Sequence, residues 1–191
     1  MKSVDKITKF TYAWQYLVLV LMQPVALILS FVLPYFAEER LDWVDNGAEK
    51  RIEPRLPLWL DWFQTPDNSL YGDYGWKNIH CKENWQNRKG FGGWLRRNRL
   101  HGLFWNKFSV MIDRPVTYEG DLGVNRDGHY GTLKCKCGNA WEWKHSFKMP
   151  FFNYAILLHF GWLMHPYITS PLPWYEGRAK FRGSIKIGSL D

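Results

Sequence analysis

Three aspartates recur every six residues in the most distinctive stretch of the chain, and carboxylates are common groups for acid–base chemistry. Asp61, Asp67 and Asp73 lie within LPLWLDWFQTPDNSLYGDYGW, residues 56–76. Asp67 and Asp73 could serve a hydrolase of the cell envelope, with Trp62 and Trp76 holding a sugar ring. The stretch contains no His, Cys or Lys to complete a familiar catalytic set, so we treat this chemistry as the alternative.

The same stretch, here called the aromatic box, has the composition of a structured loop. It contains three Trp, one Phe and two Tyr together with two Pro and two Gly. Pro and Gly set turn geometry, while aromatic side chains supply large buried areas. Asp and Asn in such turns commonly accept hydrogen bonds from backbone amides. We therefore expect Asp67, Asn68 and Asp73 to hold turns, and the box to pack against residues 94–108.

Two cysteines, Cys135 and Cys137, offer a weak alternative metal site. Structural zinc sites usually pair their ligands as C-x₂₋₄-C, whereas these residues are separated by one position. On an alternating strand both thiols would lie on the buried face beside Leu133, where free cysteines act as small apolar groups. We predict no metal and no cofactor, and keep zinc at this pair as the alternative.

Residues 77–107, here called the basic segment, carry eight basic residues and one acidic residue, in a chain whose net charge is +7. Given the membrane anchor predicted below, we interpret this segment as a surface that contacts anionic lipid headgroups or a protein partner, or as an ordinary solvated face. Nucleic acid is the second alternative, because aromatic rings can stack on bases while arginines bind phosphates. The predicted binding residues of the box and the basic segment are Trp62, Trp76, Trp94, Arg96, Arg97 and Arg99.

Residues 14–36 form an uncharged apolar run that predicts a transmembrane helix. Twenty-three helical residues extend about 34 Å, enough to cross a hydrocarbon core of about 30 Å. We assign residues 1–37 to a membrane anchor, with its amino terminus weakly favoured on the cytoplasmic side. A cleaved signal peptide and a helix lying in the membrane interface are the alternatives, and the second fits less well because the run is apolar on every side.

The remaining chain predicts a small α+β domain over residues 56–191. Charged residues 38–55 are interpreted as a juxtamembrane linker or short helix. Period-two alternation predicts an antiparallel sheet over about 129–187, with Gly138-Asn139 as a hairpin turn. The residues predicted to share its buried face are Leu133, Cys135, Cys137, Trp141, Trp143, His145, Phe147, Phe181, Ile185 and Ile187. Residues 151–168 are interpreted as a buried strand or an interfacial segment, with a second transmembrane helix as the alternative.

The box sequence LPLWLDWFQTPDNSLYGDYGW, followed by GGWLRRNRLHGLFW, resembles an uncharacterised family of small proteins of tailed bacteriophages and prophages. The resemblance covers about Leu56 to Trp105 and implies a phage product acting at the host envelope. It brings no established activity. We therefore expect a non-catalytic accessory protein, anchored in the host bacterial inner membrane or associated with the virion, that binds a partner or the bilayer surface.

Overall fold

The computed structural model describes residues 2–44, 49–73, 75–76, 92–124, 129–169 and 177–189. The fold is α+β: an apolar helix near the amino terminus precedes an antiparallel main sheet, as predicted. The α-helices among these residues are α1, Lys9–Leu29, α2, Gly93–Asn98, and α3, Pro166–Thr169. Shorter helical turns are the 3₁₀ segments Val4–Lys6, Leu33–Phe36 and Leu58–Phe63 and the π segment Leu103–Lys107.

Ten strands form three sheets in the described residues. In chain order they are β1, Lys2–Ser3, β2, Glu38–Val44, β3, Glu49–Arg55, β4, Val110–Met111, β5, Thr117–Gly120, β6, Gly131–Cys137, β7, Ala140–Lys148, β8, Tyr154–Trp162, β9, Arg178–Ala179, and β10, Phe181–Ser189. The main sheet is antiparallel throughout, in the order β10-β8-β7-β6-β5. The smaller sheets are β1-β4-β9 and the hairpin β2-β3.

The chain divides into two compact units. The sheet unit comprises Met1–Tyr16 and Phe108–Asp191, and the box unit comprises Leu17–Lys107. Helix α1 therefore contributes its first turns to the sheet unit and the remainder to the box unit.

The core of the sheet unit is built from interlocking aromatic rings. Trp162 and Phe181 are fully buried and contact each other edge-on, with ring centres 5.4 Å apart. The Trp162 indole N–H donates to the Phe108 carbonyl at 2.7 Å, so this large ring is buried without an unpaired donor. Tyr16 packs on Phe181 with ring centres 4.8 Å apart, which ties the start of α1 to the sheet.

The main sheet buries the opposite side of β7 from the side we predicted. Glu142 and Ser146 are 1% exposed, whereas Trp143 and His145 are half-buried and Phe147 is exposed. The prediction assumed that the aromatic side of the strand must face the protein interior. The buried carboxylate is instead stabilised by several hydrogen bonds, which removes most of the cost of burying it.

The outer strand β10 also departs from the predicted face, whereas β6 agrees with it. Ile185 and Ile187 are exposed, and their register partners on β8 are Leu158 and Ile156. Leu133, Cys135 and Cys137 are buried, and Phe181 is buried at the start of β10. Strand β8 occupies half of the hydrophobic run 151–168, and its residues 155–161 are alternately buried and half-buried.

In the box unit, a hairpin replaces the linker or short helix expected over residues 38–55. Strands β2 and β3 pair in antiparallel register, and opposite charges face each other across the ladder. An apolar pair, Leu41 and Ile52, lies between them. Cross-strand pairs of these kinds each stabilise a hairpin by about 0.2–1 kcal/mol, which explains why this charged sequence forms strands. The facing charged pairs are Glu38 with Arg55, Arg40 with Glu53, and Asp42 with Arg51.

Candidate functional site

Glu142 is the centre of a buried polar cluster in the sheet unit. Its Oε1 lies 2.6 Å from His159 Nε2 and 2.5 Å from His165 Nδ1. Its Oε2 accepts hydrogen bonds from the backbone N–H groups of Met164, at 2.6 Å, and His165, at 2.8 Å. The carboxylate is thus fixed by four contacts, and two of them come from backbone N–H groups, whose positions are set by the fold.

Adjacent strands bring the cluster together. Glu142 on β7 pairs with Gly161 on β8, so His159 lies diagonally across from it on the same side of the sheet. On the neighbouring strand β6, Cys135 is the register partner of Glu142, so its side chain lies on the same face of the sheet. Gly161 permits the close approach of β8 and β7, because it has φ +91° and an added Cβ would lie 2.1 Å from the Trp141 carbonyl oxygen.

Burial and hydrogen bonding set the ionisation of Glu142, His159 and Cys135. Burial opposes ionisation of Glu142, but hydrogen bonds from His159 and His165 outweigh it and hold the carboxyl pKa well below its usual range. Burial lowers the pKa of His159 to about 4, although Glu142 acts in the other direction. Burial, with a contribution from Glu142, raises the pKa of the Cys135 thiol to about 12. At neutral pH the cluster contains an ionised carboxylate, a neutral His159 and a protonated thiol.

A carboxylate oxygen and two imidazole nitrogens form a donor set that can bind a divalent transition metal. In the described part of the chain, Glu142, His159 and His165 are a group whose donor atoms all lie within 4.8 Å of one another. The cysteines considered from sequence are placed differently. Cys135 lies beside this group, whereas the Cys137 thiol donates to the Arg114 carbonyl at 3.7 Å.

The sequence carried only a faint signal for this cluster. Its residues come from three elements, and Glu142 was assigned to the solvent side of β7 by the aromatic alternation. The signal that could have been used is the pair His159 and His165, which interrupts an otherwise apolar run. A histidine inside a predicted buried strand needs a hydrogen-bond partner, and a nearby strand that carries a single Glu is a natural place to seek one.

Arg55, which sequence reasoning did not select, organises the aromatic box. Its guanidinium is buried and donates to the carbonyls of Asn68 and of Pro66, the latter at 3.2 Å. Its Nε lies 3.2 Å from an Asp42 carboxylate oxygen. Burial lowers the Arg55 pKa from its ordinary value, while Asp42 acts against that shift. The turn at residues 66–68 is therefore wrapped around a buried cation.

The aspartates of the box take different positions from one another. Asp73 Oδ1 accepts a hydrogen bond from the Trp76 backbone N–H at 2.7 Å, as predicted for a turn-holding residue. Asp67 Oδ1 is buried and makes no hydrogen bond to the described residues, and its charge acts on Arg55. Asn68 accepts from Thr65 Oγ1 and from Arg55 through its carbonyl. The use of Asp73 as a cap weakens the alternative in which it acts as an acid or base.

The predicted aromatic binding residues are partly used for internal packing. Trp94 is buried and donates its indole N–H to Thr65 Oγ1 at 2.9 Å. Trp76 packs edge-on against Trp94 with ring centres 5.8 Å apart, which confirms the predicted contact between box and basic segment. Trp62 remains 41% exposed, with the Lys107 ammonium 5.9 Å from its ring centre. Trp59 was expected to pack in the same contact and is instead 72% exposed.

The predicted arginines lie close to aromatic rings or to α1. Arg97 is exposed, and its guanidinium lies 5.2 Å from the Trp76 ring centre. Arg96 lies 5.3 Å from the ring centre of Phe31, just beyond the end of α1. Arg99 donates to Gln23 Oε1 at 3.1 Å and is half-buried. The other basic residues of the segment, at positions 77, 82, 88 and 89, lie outside the described residues.

Helix α1 has one polar side and one apolar side, and the polar side faces the protein. Successive residues of a helix are rotated by about 100°. On this basis one arc of roughly 100° contains the buried residues Thr11, Gln15, Leu19 and Ala26, together with Ser30, which directly follows the helix. Tyr12, Tyr16 and Gln23 border this arc and hydrogen-bond to the protein. Among the exposed residues on the opposite side are Phe10, Trp14, Leu17, Val20, Leu21, Val25, Leu27 and Ile28.

Helix α1 is long and apolar enough to cross a membrane. Its 21 residues extend about 31 Å, close to the thickness of a hydrocarbon core. The regular helix begins at Lys9 and ends at Leu29, so it starts and ends earlier than the predicted span. Its two-sided character also differs from the expectation of a run that is apolar on every side.

Comparison with known proteins gives a family without an assigned activity. No curated protein and no solved structure matches the chain. A family model described as a family of unknown function (DUF7338) matches residues 5–187, which include α1, the aromatic box and the main sheet. The chain therefore belongs to this uncharacterised family.

Proposed function

We propose that the protein is a membrane-anchored accessory protein, with the apolar side of α1 in contact with lipid acyl chains. The observation that carries the proposal is the orientation of α1: its hydroxyl and amide side chains face the protein and its large apolar side chains face outward. In water this arrangement is unfavourable, since an exposed apolar surface of this extent marks an interaction site. In a bilayer it is favourable, because polar groups need protein partners there.

The tip of the β7–β8 hairpin gives independent support from the sheet unit. Phe151 is fully exposed and Phe152 is 60% exposed, and Lys148 precedes them at the end of β7. Phe151 has φ +68°, a left-handed conformation that is unfavourable for a bulky residue. Strain that holds an aromatic ring in solvent is consistent with a role at the surface, and aromatic and basic side chains together are typical of membrane interfaces.

The arginines near the end of α1 support contact with anionic headgroups. Arg96 lies over the Phe31 ring, which is 58% exposed, so a cationic group and a large apolar ring are adjacent on the surface. Basic residues near a membrane surface each contribute about 1 kcal/mol when the lipids are anionic. We propose that Arg96 and Arg97 bind these headgroups, and that Arg99 acts mainly by holding Gln23 of α1.

We further propose that this protein is a bacteriophage product that acts at the host inner membrane. The support is the resemblance of the aromatic box and the following WLRRN sequence to the phage and prophage proteins described above. A non-catalytic binding role fits the use of box residues as turn and packing elements, with Asp73 as a cap and Trp94 buried. Affinity purification from detergent-solubilised, infected cells would identify a partner, and a host envelope protein is the expected result.

The anchoring proposal is tested by carbonate extraction and by flotation with vesicles. The full-length protein should remain with membranes after the carbonate wash, since its attachment depends on apolar contacts. It should also float with vesicles containing anionic lipid at low salt, and less completely with zwitterionic vesicles. Release of folded protein into the soluble fraction by carbonate would overturn the proposal.

A further inference from the structure

We infer that Glu142, His159 and His165 bind one divalent transition metal ion of the zinc class. The three donors come from β7, from β8 and from the turn before α3, and they converge on one point in the sheet unit. Glu142 and His159 are buried and His165 is about one quarter exposed. One carboxylate and two imidazoles are a frequent protein ligand set for such ions.

The imidazole geometry fits shared coordination. The His159 and His165 rings have their centres 5.9 Å apart and are tilted by 44°. Two imidazoles on one zinc ion place their ring centres roughly 5–6 Å apart, since each Zn–N bond is about 2.0–2.1 Å. The nitrogens that approach each other are Nε2 of His159 and Nδ1 of His165, and both point to Glu142 Oε1.

Glu142 needs only a small movement to become a ligand. Its Oε1 lies 2.5–2.6 Å from the two ring nitrogens, which is hydrogen-bond distance. Around a tetrahedral zinc ion, the same oxygen and nitrogens would lie about 3.3 Å apart, so a shift of under ~1 Å is sufficient. The other oxygen, Oε2, is held by the N–H groups of Met164 and His165. Such outer contacts orient a ligating carboxylate and are typical of metal sites.

The cluster is accessible at one of its ligands, because His165 is about one quarter exposed. A metal site needs such access as well as ligands and an ordered outer shell. Cys135 is the register partner of Glu142, so its thiol lies beside the carboxylate on the same face of the sheet, outside the group of three donors.

The experiment uses the full-length protein purified in detergent without chelators. Metal content is measured by mass spectrometry, and cobalt(II) is added to chelator-treated protein to follow its visible absorption. The test variant is His165→Gln, because His165 is the most exposed of the three residues and its replacement disturbs packing least. The matched control is His145→Gln, on the other face of β7, where the ring stacks on Trp143 and lies 2.7 Å from Thr132 Oγ1.

The expected result is about one metal ion per chain for the unsubstituted protein and for His145→Gln. His165→Gln should bind cobalt at least tenfold more weakly, the scale on which even outer contacts of a metal site act. A chelator should lower the melting temperature of the first two proteins only. The inference is overturned if the folded protein gives neither stoichiometric metal nor a cobalt spectrum, or if His165→Gln binds cobalt as tightly as His145→Gln.

Discussion

Replacing Leu21 with aspartate tests the proposed lipid-facing side of α1. Leu21 lies near the middle of the helix and its side chain is 59% exposed, so the replacement removes little internal packing. If this side faces solvent, an aspartate there is harmless or even favourable. If it faces acyl chains, the charge must be brought into the low-dielectric region or the helix must leave it.

The expected loss is large because leucine and aspartate lie at opposite ends of the membrane-insertion scale. At a helix centre, leucine contributes about −0.5 kcal/mol and aspartate costs about 3 kcal/mol, a difference of roughly 3–4 kcal/mol. Since 1.4 kcal/mol corresponds to a factor of ten, membrane partitioning should fall by roughly 10² to 10³. The short aspartate side chain cannot extend to the headgroups as lysine does, so little of this cost can be avoided.

The assay is the fraction of protein that stays with membranes after carbonate extraction, measured for Leu21→Asp and for Leu41→Asp. Leu41 is 65% exposed on the charged hairpin, so it controls for adding a carboxylate at an exposed leucine. Leu21→Asp should appear largely in the soluble or aggregated fraction, and Leu41→Asp should remain with membranes. Equal retention of the two variants, with both still folded by limited proteolysis, would refute the assignment of this side of α1 to lipid.

Three further predictions concern single residues. Gly102→Ala should lower the free energy of unfolding by about 1–3 kcal/mol, because the new Cβ would lie 1.9 Å from the Asp61 carbonyl oxygen. Denaturant titration checks this, with Gly75→Ala as the control, because the atom nearest to a Cβ at Gly75 is 3.6 Å away. Arg55→Leu should cost about 3–5 kcal/mol, because it removes a buried cation that contacts Asp42 and donates to two box carbonyls, and a melting temperature equal to that of the unsubstituted protein would contradict the organising role of Arg55. Phe151→Asn should leave the free energy of unfolding unchanged or raise it by up to about 1 kcal/mol, since asparagine tolerates positive φ. The same variant should bind vesicles about tenfold more weakly, because the aromatic ring is lost. Vesicle binding as tight as that of the unsubstituted protein would exclude this loop from the membrane contact.

Local patterns predicted the elements of this fold well. The uncharged run gave the long helix α1, and the period-two alternation with Gly138-Asn139 gave β6, β7 and their connecting turn. These features depend on neighbouring residues, so the sequence contains them directly. The cap at Asp73 and the contact between Trp76 and Trp94 were also correctly expected.

Long-range pairing was not accessible in the same way. The buried Arg55 is recognised only once the carbonyls of Pro66 and Asn68 are folded over it, more than ten residues along the chain. The charges of residues 38–55 were read as a linker because their cross-strand partners depend on a register that composition does not reveal. Glu142 meets His159 and His165 only through strand pairing and the following turn.

On both β7 and α1 the more polar side is the buried one, and the two cases have the same physical origin. Alternating or helical periodicity establishes that an element has two different sides, and in water the apolar side is normally buried. The polar side is buried instead when it has enough hydrogen-bond partners inside the protein and the apolar side contacts a surface other than water. Glu142 makes four contacts inside the sheet unit, and Gln23 of α1 accepts a hydrogen bond from Arg99, so each polar side includes a side chain with internal partners. On α1 the exposed row of Leu, Val, Ile and Phe side chains favours an apolar environment, and a bilayer is the one that we propose from the length and composition of the helix.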